Sequence, residues 1–204
     1  MRNPLSVFFS IVCILFLGVN IYLEHSGKFI VDPVGKIALA IAFILLLTFA
    51  INPFQNKTRK KIWLFIIFLY YIWVLSNLLF FDQGFGRHEA LSGMNLKPFY
   101  TIHNYLTAYE LGNITKRLVI INIIGNVVAF APMAVFLPVF FKAEHNFLVF
   151  FLTIFIMVSA VEGVQYLTHT GSCDIDDLIL NVFGAVILWC ILLPWRIFVK
   201  YRER

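Results

Sequence analysis

Between Glu162 and Gly184 the chain reads EGVQYLTHTGSCDIDDLILNVFG, joining the end of one apolar run to the start of the next. Within it stand Glu162, Gln165, Asp174, Asp176, Asp177 and Asn181, in a chain of which only 13% of residues are charged. Carboxylates near the ends of apolar helices are costly to bury and need a partner, a polar cavity or a proton. A carboxyl held away from water can give or take a proton. Two of them close together can share one or hold a hard divalent cation. Amides beside them can orient a polar ligand.

These groups must be positioned by membrane helices. The chain has 204 residues, 61% of them hydrophobic, with 23 Phe, 8 Tyr and 4 Trp. A soluble domain is about half apolar and a quarter charged, so the composition is that of a polytopic helical membrane protein. A bilayer core needs roughly 20 apolar residues in helix, and six stretches qualify: 5–23, 34–51, 62–81, 118–141, 147–168 and 177–199. The second is short, and the fourth contains Pro132 and Pro138, which kink a membrane helix. The absence of a small-residue cleavage site after the first run makes it an uncleaved helix. Cys13, Cys173 and Cys190 have neither the spacing of a zinc site nor that of a disulfide framework.

The formal charge of +5 sits mostly beside apolar runs, so it reports topology and lipid anchoring, not nucleic-acid binding. With the N-terminus inside, NKTRKK at 56–61 and KYRER at 200–204 fall on the cytoplasmic side, packed against helix ends. Both termini are then cytoplasmic. The connection 82–117 falls outside, and Pro98 opens a short amphipathic helix there on the outer membrane surface. Phe99, Ile102, Leu106 and Tyr109 share one face, His103, Asn104, Thr107 and Glu110 the other, and Gly112 ends it.

Depth brings the polar residues together. At 1.5 Å per residue, Asn122 and Asn126 lie roughly 6 and 12 Å inside the fourth span. Gln165 and Glu162 lie roughly 5 and 9 Å below the same boundary on the fifth. Asp177, Asn181 and Gly184 form a stripe at the start of the sixth. Taken singly, each Asn serves as interhelical hydrogen-bond glue, and Asp176 as a first-turn acid favoured by its own helix dipole. Together they form a layer at one level of the outer leaflet. Glu162 with Asp174 and Asp177 is the candidate catalytic set, which could also hold a divalent cation. Asn122, Asn126, Gln165 and Asn181 are the candidate substrate-binding amides. Arg87, Lys97, Lys116 and Arg117 are loop cations able to meet a phosphate. A layer at one end, not at the midplane, argues against a small transporter.

GNVVAFAP at 125–132, EGVQ at 162–165 and DIDDLILNVFG at 174–184, with NLKPF at 95–99 upstream, resemble the VanZ-like membrane proteins. The matched positions are Asn126, Pro132, Glu162, Gln165, Asp174, Asp177, Asn181 and Gly184, over about 62–195. Residues 1–61 then form an added N-terminal hairpin with a basic loop, and 62–204 the VanZ-like domain. One departure is Ala134, where members of that family often carry Gly two residues after the proline. The resemblance implies a cell-envelope protein connected with resistance to glycopeptides such as teicoplanin. It also implies a helical core similar to enzymes that exchange or remodel lipid head groups. Membrane lipids and lipid-linked envelope precursors are the expected partners. The competing expectation is a non-catalytic surface protein that alters the access of antibiotics or envelope proteins.

Overall fold

The structure, a computed structural model, describes residues 4–26, 33–81 and 94–202. Among these, eight α-helices carry the fold: α1 Pro4–His25, α2 Pro33–Ile51, α3 Lys57–Ser76, α4 Tyr100–Glu110, α5 Lys116–Ala129, α6 Met133–Phe140, α7 Phe147–Leu167 and α8 Ile175–Arg202. Two-residue strands β1, Met94–Asn95, and β2, Cys173–Asp174, pair in parallel. The protein is an all-α helical membrane protein. Among the described residues, five segments are long and apolar enough to cross a membrane: Pro4–His25, Lys57–Phe80, Lys116–Phe140, Phe147–Leu167 and Ile175–Pro194. The apolar helix Gly35–Ile51 is shorter, as its sequence requires.

The chain divides into two compact units, Met1–Leu78 and Leu79–Arg204, so α3 goes with the N-terminal hairpin. In the first unit, α1 and α2 lie side by side through aromatic pairs, Phe9 on Phe49 at 5.0 Å and Phe16 on Phe43 at 6.3 Å. Their far end is closed by a Lys36–Glu24 ion pair at 3.2 Å. Phe43 also stacks on Tyr70 of α3 at 4.3 Å. The start of α3 is capped by Asn56, whose side chain accepts from the Arg59 N–H. Lys57, Arg59, Lys60 and Lys61 are all exposed there.

In the second unit the core is set by two facing stripes. On α7, Phe150, Ile154 and Val158 are fully buried and recur every four residues, one face of a helix. The next position on that face is Glu162. On α8, Ala185 and Trp189 are buried and Asn181 precedes them at the same spacing. The helices run antiparallel, with Trp189 stacked on Phe150 at 5.8 Å and donating its indole N–H to Glu144 O at 3.0 Å. Each stripe is therefore apolar at one end and polar at the other. Large residues on the opposite faces, such as Ile156 and Ile191, are exposed, as lipid contact requires.

The fourth span is interrupted at Pro132, as expected, whereas α6 runs on through Pro138. α5 ends at Ala129 and α6 starts at Met133. Pro132 has no N–H to continue the ladder, and the chain crosses the break on tighter bonds, Ala131 N–H to Val128 O and Met133 N–H to Phe130 O. Phe130, Met133 and Ala134 are buried at the bend. Ala134 is 0% exposed, so the departure from glycine there is filled by packing.

α4 forms where the amphipathic pattern placed it, but it starts later. Pro98 lies in the turn before it, closed by Tyr100 N–H to Lys97 O, and Phe99 is the N-cap residue with φ 64°. Ile102 is half-buried, whereas Phe99, Leu106 and Tyr109 are exposed. Gly112, at φ 73°, ends the helix. The Gly112 and Asn113 N–H groups bond back to Tyr109 O and Ala108 O, a Schellman stop that uses glycine's freedom at positive φ.

Candidate functional site

The polar ends of α7 and α8 meet because the chain between them turns back sharply. α7 stops at Leu167, and His169 takes the left-handed position at φ 55°. His169 N–H bonds Tyr166 O, and Thr170 N–H bonds Gln165 O, a second Schellman stop with histidine in the usual glycine place. The returning strand β2 runs back beside the last turns of α7. As a result Asp174 N–H donates to Glu162 Oε2 at 3.3 Å. α8 then starts level with Glu162, not at the α7 terminus.

Glu162 is 6% exposed. Gln165, one turn on, is also buried, but its amide points elsewhere: Nε2 donates to Leu79 O at 2.8 Å. Leu79 lies in a π-helical turn, Asn77–Phe81, and Gln165 satisfies one of the carbonyls that a helix end leaves over. Gly171 packs over the Gln165 side chain.

Asp174 and Asp176 form the hub of the arrangement. Asp174 accepts from Asn95 Nδ2 at 3.2 Å, from Thr101 Oγ1, and from Asp176 N–H at 2.9 Å. Asp176 is 1% exposed. Its carboxylate accepts Phe99 N–H, Thr101 N–H at 2.8 Å and Ile102 N–H at 3.1 Å. The expectation that Asp176 serves only its own helix is therefore corrected. It sits in the first turn of α8, yet it caps α4, whose own N-cap residue Phe99 offers no side-chain acceptor. The orphan donors at a helix start attract a carboxylate from any part of the chain.

Asp177 takes a third direction. Its Oδ1 accepts from Asn126 Nδ2 of α5, and its backbone O accepts from Asn181 Nδ2 at 2.8 Å. Asn126 and Asp177 are half-buried, while Asn181 is 2% exposed. This approach of α5 to α8 depends on Gly184, where a Cβ would lie 1.7 Å from Val127 O. Asn122 Nδ2 donates to Leu118 O of its own helix at 2.8 Å, as Asn181 Nδ2 does to Asp177 O.

The structure brings Glu162, Asp174, Asp177, Asn126 and Asn181 to one end of α5, α7 and α8. Lys97, Lys116 and Arg117 are exposed, and Arg87 lies outside the described residues. Among the described residues, no group of three His, Cys, Asp or Glu side chains stands close enough to hold a metal ion. Asp174 and Asp177 serve separate partners. Asn95 opens NLKPF, a stretch noted only for its resemblance, and Thr101 stands two residues past it; neither was expected at the site.

Cys173 reports on the site. Its thiol pKa is raised, first by burial and then by the nearby Glu162 and Asp174 charges. At neutral pH less of it is thiolate, so iodoacetamide should modify it more slowly in the folded protein than in the denatured chain. Glu162→Gln removes one of these charges and should speed the reaction, as peptide mass mapping would measure. An unchanged rate would separate Glu162 from the Cys173–Asp174 strand.

Comparison with curated proteins and with solved structures gives no match. A model of the VanZ/LLP1 family matches residues 62–198, and these include every residue of the acid–amide layer. The chain belongs to the VanZ/LLP1 family.

Proposed function

We propose that this protein acts in the cell envelope, where its acid–amide layer receives the head group of a membrane lipid or of a lipid-linked precursor. One observation carries the reading. A carboxylate, Glu162, continues the fully buried stripe Phe150–Ile154–Val158 and meets the head of α8, beside a half-buried Asn126–Asp177 pair. Glue alone needs fewer groups than this, because interhelical hydrogen bonds in membranes are worth about 0.6–2 kcal/mol each. A buried carboxylate is expensive to keep without a task.

In the enzymatic form of the reading, Glu162 gives or takes a proton, and Asp174 holds it in place through the backbone bond. Asp177 and Asn126, at the half-exposed edge, touch the head group. Lys97, Lys116 and Arg117 are exposed and can meet a phosphate from the loops. The distribution of basic residues supports a layer facing the outer leaflet with both termini cytoplasmic. In that setting glycopeptide susceptibility, teicoplanin above all, is the phenotype to score.

A non-catalytic binder is the second reading, favoured by the full engagement of Asp174 and Asp176 in structural hydrogen bonds. Glu162→Gln separates the two. If it inserts and accumulates normally, catalysis predicts that envelope lipid composition and glycopeptide susceptibility revert to those of cells lacking the protein. Binding without turnover predicts little change. Cells whose lipids and susceptibility are indifferent to the protein's presence would contradict both forms.

A further inference from the structure

Each side-chain amide nitrogen in the acid–amide layer is already engaged by an acceptor of the protein: Asn95 by Thr101 and Asp174, Asn122 by Leu118 O, Asn126 by Asp177, Gln165 by Leu79 O, and Asn181 by Asp177 O. Among the described residues, the buried side-chain atom of the layer that has no partner at all is an acceptor. Asn181 Oδ1 is buried and has no partner, on a residue 2% exposed. Its orientation is set by the Nδ2 bond to Asp177 O, because turning the amide would place two oxygens together. A buried oxygen without a donor costs stability, and more so where bulk water is absent.

We infer that the buried part of the ligand is a hydrogen-bond donor, a hydroxyl or a primary ammonium on a lipid head group, received by Asn181 Oδ1. A phosphodiester oxygen cannot fill this role, since it only accepts, and neither can a quaternary ammonium, which has no N–H. Phosphate on the same lipid stays at the exposed edge. This inference rests on the head-group reading above and narrows it to donor-bearing head groups.

Matched lipids test it with the full-length protein in detergent micelles, by titration and native mass spectrometry. Phosphatidylglycerol is paired with phosphatidylmethanol, which has the same charge and no hydroxyl. Phosphatidylethanolamine is paired with phosphatidylcholine, which has no N–H. At least one donor lipid should bind about five- to tenfold more tightly than its capped partner, the worth of one buried hydrogen bond. The pair that discriminates tells hydroxyl from ammonium. Asn181→Leu, similar in size, should abolish the preference. Asn181→Ser can donate to Asp177 O and still accept, so it should retain the preference and control for misfolding. Saturable binding that is equal within both pairs, or a preference untouched by Asn181→Leu, overturns this inference and leaves the head-group reading standing. No saturable binding by any of the four overturns this inference and, with it, the head-group reading for membrane phospholipids.

Discussion

Replacing Gly184 with alanine is expected to be among the most damaging single changes in the protein. The added methyl would lie 1.7 Å from Val127 O and 2.6 Å from Val127 C. Both are backbone atoms of α5, so no side chain can rotate out of the way, and α5 must move off α8. Overpacking a tight contact commonly costs about 1–3 kcal/mol, and a backbone collision belongs at or above the top of that range. The chemical consequence follows from position. Val127 adjoins Asn126, so displacing α5 breaks the Asn126–Asp177 bond and opens the half-exposed side of the layer. The unfolding midpoint of the purified protein should fall sharply, and any head-group binding should go with it. Gly163→Ala is the control. A methyl there meets nothing within 4 Å, so it should be neutral or stabilising by about 0.5–1 kcal/mol through helix propensity. Equal behaviour of the two variants would contradict the packing account.

Removing the Asp176 carboxylate should release α4. Three backbone N–H groups at the start of α4 converge on it, and hydrogen bonds to a charged group are worth about 1.5–3 kcal/mol each when buried. The bonds share one acceptor and are not additive, so the loss expected for Asp176→Ala is about 2–4 kcal/mol. It should be local. Hydrogen exchange at Phe99, Thr101 and Ile102 should accelerate by orders of magnitude, while the Phe150–Val158 stretch of α7 stays protected. Asp176→Asn should give a smaller effect, since one oxygen remains to accept but the amide nitrogen faces donors. Because Asp174 N–H binds Glu162 and Asp174 also holds Thr101, loosening α4 should also disturb Glu162, which the Cys173 alkylation rate would register. If exchange at the start of α4 is unaltered by Asp176→Ala, the trans-capping assignment fails.

What could be read in the residues beforehand follows the range of the interactions involved. Helical period put Glu162 and Gln165 on one face, Asp177 and Asn181 on another, and Asn126 at a matching depth, since each step rests on neighbours three or four apart. The bend at 130–132 was also legible, because Pro132 removes a backbone donor wherever it stands. Asp176 was misjudged for the opposite reason. Its partners lie more than seventy residues away in the chain, and nothing local distinguishes an acid that caps its own helix from one that caps another. Asn122 and Asn126 looked equivalent by spacing, but only Asn126 has a carboxylate opposite it. Gln165 shared the Glu162 face as expected, yet its amide serves the π turn, a feature with no sequence signature here. The return of β2 alongside α7 depends on His169 in a position that composition would have reserved for glycine.

The account stands on a head group reaching the ends of α5, α7 and α8. Photolabelling tests this most directly, using two forms of one donor-bearing phospholipid, with a diazirine either on the head group or at the end of an acyl chain. In membranes containing the full protein, the head-group probe should label peptides covering 122–126, 162–165 or 174–181, saturably and in competition with unlabelled lipid. Asp177→Asn, at the half-buried edge, should reduce that labelling. The acyl-end probe should mark the outward residues of α1, α7 and α8 instead. Labelling of the layer by the acyl-end probe alone, or head-group labelling that neither saturates nor responds to Asp177→Asn, would contradict it.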